Sequence, residues 1–481
     1  MTRRDWPGWM RTNDILDLLK LSVPIAISRM SWMLIALTDA IVLGQGAASE
    51  LPLILNAWLP IGVSLGLGMG ILLGVQVLTS ELMGQAKPGE TGRIFRRGMV
   101  WAIALGVALM GLVYFGAEPL FKWIFIEISP NPSMSAQFSA EEIAEEITRV
   151  TQILSYGMIG FMAGTVCSYY LEALRKPLIV TLIAYIAVAV NVLLDCALVF
   201  GWWGLPQMGA EGVAWATTIG RWLVVILSLI FILKWTPALE PAPPAPKGEA
   251  RHQFNVGIGT AISNVAEWGG FNTTYVIAAF ISLAVNSIYG YTVQIMGICF
   301  MLFLGIGSAT SVRVAENYGV KDIESVKDAS RLGVAATLSM GFILACLIFA
   351  LRDIIPLGLV NKEAEIDGVL LAPAIGALLI YAAIGTTLDG LQATASMALR
   401  AQNIIWLPSF IHITSFFAIM LPSGYWLGIV LERGAQGMME AAVIGVGIAG
   451  IAQWTLLEFT LNGYSTRTID KKIGAHVSHL E

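Results

Sequence analysis

Between Pro177 and Phe200 the chain reads PLIVTLIAYIAVAVNVLLDCALVF, an apolar run interrupted by two strongly polar side chains, Asn191 and Asp195. A separation of four places both on one face of a helix, about 6 Å apart, where a carboxylate and an amide carbonyl can address one small object. A carboxylate inside a bilayer costs about 2.5 to 3.5 kcal/mol on insertion scales, and such groups face a bundle interior or a wet cavity, where they mark ion or proton pathways. Two chemistries are open at this point: a small-cation site, or a structural pair joining two helices.

Other polar residues fall at related depths. Counting about 1.5 Å per residue from the predicted cytoplasmic end of each apolar run puts Asp39 about 28 Å from Lys20, Asp195 about 27 Å from Pro177 and Thr217 about 25 Å from Lys234. Asn191 lies one turn below Asp195. Four oxygen-bearing groups from three spans at one level suit a hard cation, which takes carboxylate, carbonyl and hydroxyl ligands. Later in the chain, Glu267 (NVAEWGGF) and Asp389 (TTLDGLQ) reach about 24 and 16 Å, nearer the midplane. Arg29 and Arg221 lie within spans of the first half and can neutralise its two aspartates. Glu267 and Asp389 have only His412 within the spans of theirs, which suits proton uptake or attraction of an organic cation. Gln76, Asn264, Asn272, Gln294 and Gln453 read as interhelical glue, and His412 as a satisfied interior histidine. Pro24 reads as a helix-start proline and Pro60 as a kink.

The elements that must hold these residues follow from composition. Of 481 residues 56% are hydrophobic and 13% charged, far too apolar for a soluble chain of this length. Apolar runs long enough to cross a bilayer centre near Trp32, Ser64, Gly106, Gly160, Ala187, Leu223, Phe271, Cys299, Met340, Ile384, Ser415 and Gly450. The hydrophilic start MTRRDWPGWMRTNDILDLLK leads straight into the first of them, so no cleavable signal peptide is expected. With both termini placed inside, Lys122, Arg149, Arg352, Lys362 and Arg433 face out, Arg29 and Arg221 lie within spans, and every other Lys and Arg faces the cytoplasm. Cys167, Cys196, Cys299 and Cys346 fall in spans without paired spacing, indicating neither disulfides nor a zinc site. The net charge of −5 and the lack of a basic patch with interleaved aromatics give no sign of nucleic-acid binding.

The chain is duplicated. Gly70, Val77, Glu81, Gly84, Arg96 and Gly98 recur in order, at one constant offset, as Gly305, Val312, Glu316, Gly319, Arg331 and Gly333. At a second offset Leu174-Arg175 matches Leu399-Arg400, and Gly209-Ala210 matches Gly434-Ala435. The offsets differ because the loop after the third span, EISPNPSMSAQFSAEEIAEEITR, is longer in the first half and ends in a short amphipathic helix. The expected architecture is an all-α polytopic membrane protein: twelve transmembrane helices in two six-helix lobes related by a parallel pseudo-twofold along the membrane normal. Its parts are a first lobe over 1–234, a proline-rich cytoplasmic linker over 235–255, and a second lobe with a cytoplasmic tail over 256–481.

These residues resemble a known family. LSVPIAISRMSWMLIALTDAIVLGQG, with Pro24 and Asp39, resembles the first helix of the multidrug and toxic compound extrusion (MATE) transporters, and NVLLD followed by GAEGVAWAT resembles their cation-binding Asn, Asp and Thr. Glu267 and the LDGLQ segment with Asp389 resemble the acidic cavity residues of one bacterial branch. The resemblance implies an inner-membrane antiporter, not an enzyme, in which two lobes alternate access and drugs or metabolites leave against Na+ or H+. It assigns cation coupling to Asp39, Asn191, Asp195 and Thr217, substrate binding or a second coupling site to Glu267 and Asp389, and a hinge to Pro24. No metal beyond Na+, no other cofactor and a monomer in the lipid bilayer go with it. Arg29 and Arg221 stand outside the family pattern and lend weight to a rival, a lipid-linked-precursor flippase that needs a cationic cavity. An intramembrane enzyme finds no HExxH, DDxxD or Ser/His/Asp arrangement.

Overall fold

The computed structural model describes residues 12–47, 50–128, 140–360, 362–366 and 368–463. The first eleven residues, the middle of the acidic loop and the tail after Gly463, to which basic residues and loop structure were assigned above, lie outside them. The described chain is helical almost throughout, apart from a hairpin of two two-residue strands, Glu365–Ile366 and Val369–Leu370.

The first half runs through α1 (Thr12–Gly46), α2 (Leu51–Leu72), α3 (Gly74–Gly84), α4 (Thr91–Lys122), α5 (Ala140–Ser155), α6 (Gly157–Ala173), α7 (Pro177–Phe200) and α8 (Gly209–Trp235). The second runs through α9 (Glu249–Ile281), α10 (Leu283–Gly319), α11 (Ile323–Leu351), α12 (Leu371–Ala401), α13 (Trp406–Ile413), α14 (Leu421–Tyr425) and α15 (Gly434–Gly463). α2 with α3, α5 with α6, and α13 with α14 each form one span, so each half supplies six. Eleven spans are long and apolar enough to cross by composition alone among the described residues. The twelfth, α9, has the length, 33 residues, but carries Asn264, Glu267, Asn272, Thr273 and Thr274.

The helices are apolar on both faces, as a bilayer requires. α4 buries Ala102, Gly106, Leu109, Val113 and Ala117 while Val100, Ile103, Val107, Leu112 and Phe115 face outward. This is a multi-pass membrane protein.

Three details depart from the sequence reading. α1 begins at Thr12 and runs through Pro24 without a break, so Pro24 lies well inside a helix and is not a helix-start proline. The second span is interrupted at Leu73, after the glycine-rich GLGMG stretch, while α2 stays helical through Pro60. Glycine weakens a helix by leaving the backbone free and bare. The acidic helix after the third span is α5; it forms the start of the fourth span itself, burying Ile143, Ala144, Ile147, Val150 and Leu154.

Contacts divide the chain into two compact units. One holds residues 30–79 and 87–245; the other holds residues up to 29, 80–86 and those from 246 onward. One division point thus falls in the proline-rich linker. The start of α1 joins the second unit through an apolar cluster of Leu18, Leu21, Ile25, Ala309, Val312 and Leu332. Buried Arg313 adds ion pairs to Asp14 at 3.0 Å and Asp17 at 3.2 Å.

The repeat is visible in the backbone. Ala86 and Lys321, matched by the first offset, both follow helix ends in the left-handed conformation, at φ 55° and 61°. Within the second unit, a Cβ added to Gly84 would fall on the Glu316 carbonyl, and one added to Gly319 on the Glu81 carbonyl. Since Glu81 matches Glu316 and Gly84 matches Gly319, the contact is reciprocal.

The linker is fastened at its start. In the first unit Arg96 donates to the carbonyl of Ala238, which is fully buried, and Arg93 to that of Pro243 at 3.2 Å. Lys176 donates to Trp235 O at 3.0 Å.

Candidate functional site

Each unit contains one buried polar cluster. In the first unit, α1 supplies Asp39, α7 supplies Asn191 and Asp195 one turn apart, and α8 supplies Thr217; none is more than 5% exposed. The four residues that the helix-depth count put at one level are in contact with one another. Thr217 Oγ1 donates to Asp39 Oδ2 at 3.1 Å. With its amide nitrogen turned to the acids, as the surrounding acceptors demand, Asn191 donates to Asp39 Oδ1 at 3.2 Å and to Asp195 Oδ2 at 3.3 Å. The two carboxyl groups thus meet on one amide nitrogen, and Asp195 Oδ1 is buried without a partner.

Two carboxylates in contact repel strongly in a medium that screens poorly. A proton or a small cation between them removes that repulsion, and the site offers oxygens from two acids, a hydroxyl and, when the amide turns over, a carbonyl. No arginine does this work. Among the described residues neither aspartate has a Lys or Arg nitrogen within 4.0 Å. Arg221, a candidate neutraliser, lies over the rings of Trp58 (5.2 Å) and Phe161 (5.7 Å) and donates to Leu154 O at 3.4 Å. Its charge reaches Asp39 only through space.

In the second unit, α9 supplies Glu267 and α12 supplies Asp389, both buried. They are joined by a residue the sequence reading did not single out. Gln392, fully buried one turn beyond Asp389, donates from Nε2 to Glu267 Oε2 at 3.0 Å and to Asp389 Oδ1 at 3.0 Å. Its carbonyl Oε1 has no partner. His412 of α13 comes within 3.8 Å of Glu267 Oε2. Its Nδ1 lies 2.8 Å from Pro408 O and 2.7 Å from Gln453 Nε2, so the tautomer selects which of the two it serves. Thus Gln453 does act as glue between helices, and it fixes an imidazole beside an acid.

Arg400 requires a correction. The charge bias counts it among the cytoplasm-facing basic residues and leaves Glu267 and Asp389 only His412 within their spans, but it occupies the last turn of α12 and is 3% exposed. A helical side chain leans toward the helix N-terminus, so from this position the guanidinium points back into the bundle. There it donates to Ser396 Oγ and Ser263 Oγ, one turn from Gln392 and Glu267 respectively. The second unit therefore has a cation beneath its acids after all.

The family comparisons agree with this geometry. The MatE family model matches residues 24–197 and 260–426. A probable multidrug resistance protein NorM of Caulobacter vibrioides is 30% identical over 458 residues, covering 94% of this chain and 93% of that protein. The multidrug resistance protein NorM of Photobacterium profundum is 25% identical, covering 90% and 93%. Among solved structures, the eukaryotic MATE transporter AtDTX14 superposes with a TM-score of 0.82 at 14% identity, covering 99% of this chain and all of that one. A MOP superfamily transporter from Pyrococcus furiosus gives 0.81 at 14% identity, covering 93% and 96%. Two six-span halves, each with a pair of buried acids, and a family match over most of the length make this chain a transporter, not an enzyme, and a member of the MatE family.

Proposed function

We propose that the protein is an antiporter of the inner membrane that exports amphipathic, cationic drugs or metabolites against an inward flow of H+ or Na+. The observation that carries this reading is the convergence of Asp39, Asn191, Asp195 and Thr217 on one buried point, with no basic side chain bonded to either acid among the described residues. Such a site binds a small cation in proportion to its concentration on whichever side it can reach. A ligand moves a two-state equilibrium only by binding the states unequally. Occupation of this site favours the state with low affinity for the drug; release of the cation inward returns the other.

The drug cation is drawn to Glu267 and Asp389, whose negative charge is only partly offset by His412 and Arg400. Pro24, inside α1 and fifteen residues before Asp39, is the hinge at which α1 responds to the cation. The names of the NorM relatives support drugs as cargo. The protein acts as a monomer with both termini in the cytoplasm. The flippase reading draws no support from Arg221, whose guanidinium is occupied by two aromatic rings and a backbone carbonyl.

The test is transport by the full-length protein in sealed lipid vesicles, with ethidium as cargo and an imposed gradient of either H+ or Na+. One of the gradients, oriented against the cargo flux, drives ethidium uphill. If neither does, the antiporter reading is wrong.

A further inference from the structure

Gln392 stands between the two acids of the second unit, and its environment is lopsided. Its amide nitrogen makes two hydrogen bonds to two carboxylates on two different helices, α9 and α12. Its amide oxygen makes none, although the side chain is fully buried. A buried carbonyl left unpaired costs about 1 to 3 kcal/mol, so one half of this amide is satisfied at the other half's expense. The arrangement repeats, on a different helix, that of Asn191, whose amide also donates to two acids from two helices.

We propose that Gln392 is a rotating positioning residue for the organic cation at Glu267 and Asp389. With no cation present, its N–H groups hold the two acids toward one point: both acceptor oxygens are 3.0 Å from the same nitrogen, so they lie no farther apart than twice that distance. An arriving cation takes over the carboxylates, and an N–H dipole aimed at it becomes repulsive. Half a turn about the last side-chain torsion brings Oε1 to the cation and sends the amide nitrogen to the position Oε1 held. That torsion is broad and soft, so the exchange needs no backbone movement. The amide thereby favours two arrangements, empty and occupied, and lets the cation go by turning back. The ligand class is a lipophilic monovalent cation of the quaternary ammonium or phosphonium type. This inference rests on the export reading, which it deepens at the second acid pair.

The test uses purified full-length protein and tetraphenylphosphonium, with binding measured by calorimetry and export measured in vesicles. Gln392→Leu, which has neither donor nor acceptor, binds about tenfold more weakly. Gln392→Glu keeps the shape and adds an acceptor that cannot turn into a donor. It binds at least as tightly as the native protein and exports about tenfold more slowly, because release is impaired. A merely structural glutamine predicts weaker binding in both variants. The proposal is overturned if Gln392→Leu binds normally, if Gln392→Glu binds as weakly as Gln392→Leu, or if Gln392→Glu exports at the native rate. Failure of the native protein to bind tetraphenylphosphonium would overturn the export reading itself.

Discussion

The two polar clusters solve the same problem with different partners. In the first unit two aspartates are kept company by a hydroxyl and an amide, and Arg221 faces aromatic rings. In the second unit a glutamate and an aspartate are kept company by an amide and an imidazole, with a guanidinium hydrogen-bonded to serines one turn away. The first holds two carboxyl groups, a hydroxyl and an amide, with no basic group in contact among the described residues, which suits a bare cation or a proton. The second already has basic groups around it, so an incoming charge displaces part of an existing balance. That suits exchange with a bulky, weakly hydrated organic cation.

The largest effect expected is at Asp195. Asp195→Asn removes a charge whose Oδ1 has no other partner, and gradient-driven ethidium accumulation in vesicles falls about a hundredfold or more. Accumulation near the native level would dissolve the contrast between the clusters.

Next comes Glu267→Gln, which weakens tetraphenylphosphonium binding about tenfold, as loss of one charged partner does. Calorimetry with Asp195→Asn alongside sharpens the comparison: if Asp195→Asn weakens dye binding more than Glu267→Gln does, the two roles are exchanged.

Thr217→Val deletes one hydroxyl and keeps the charge. It raises the concentration of coupling ion needed for half-maximal transport about fivefold, in line with one hydrogen bond. An effect as large as that of Asp195→Asn would mean that the hydroxyl, and not the carboxylate, governs the first site.

The smallest effect belongs to His412→Gln. The imidazole lies 3.8 Å from Glu267, beyond hydrogen-bond range, so dye affinity changes about twofold. A change as large as that from Glu267→Gln would make the imidazole a direct partner of the cargo.

The first cluster was legible in the sequence because a carboxylate in an apolar helix is conspicuous and because helices advance by a fixed rise. Counting residues from the ends of three spans sufficed to put Asp39, Asp195 and Thr217 at one level. The second was legible only in its acids. Gln392 escaped because a glutamine in a span is ordinarily glue, and nothing in LDGLQ says that its amide reaches another helix. Arg400 escaped notice as a neighbour of the acids because a basic residue at the end of a span counts as cytoplasm-facing by the charge bias. The helices themselves end at Ala173 and Ala401, which leaves Arg175 outside a helix and Arg400 inside one. The break at Leu73 was missed because proline is the louder signal, while a cluster of glycines loosens a helix without announcing where it parts.

The reciprocal contact of Gly84 with Glu316 and Gly319 with Glu81 is self-complementary. Residue i meeting j while j meets i is the mark of an isologous, twofold dimer, and here both copies are written into one polypeptide. The glycines leave no side chain between the two backbones, so the surface fits itself without any change that tells one copy from the other. A side chain introduced at this repeat position in both copies would strike the contact twice, so the duplicated surface holds both repeats to glycine at once.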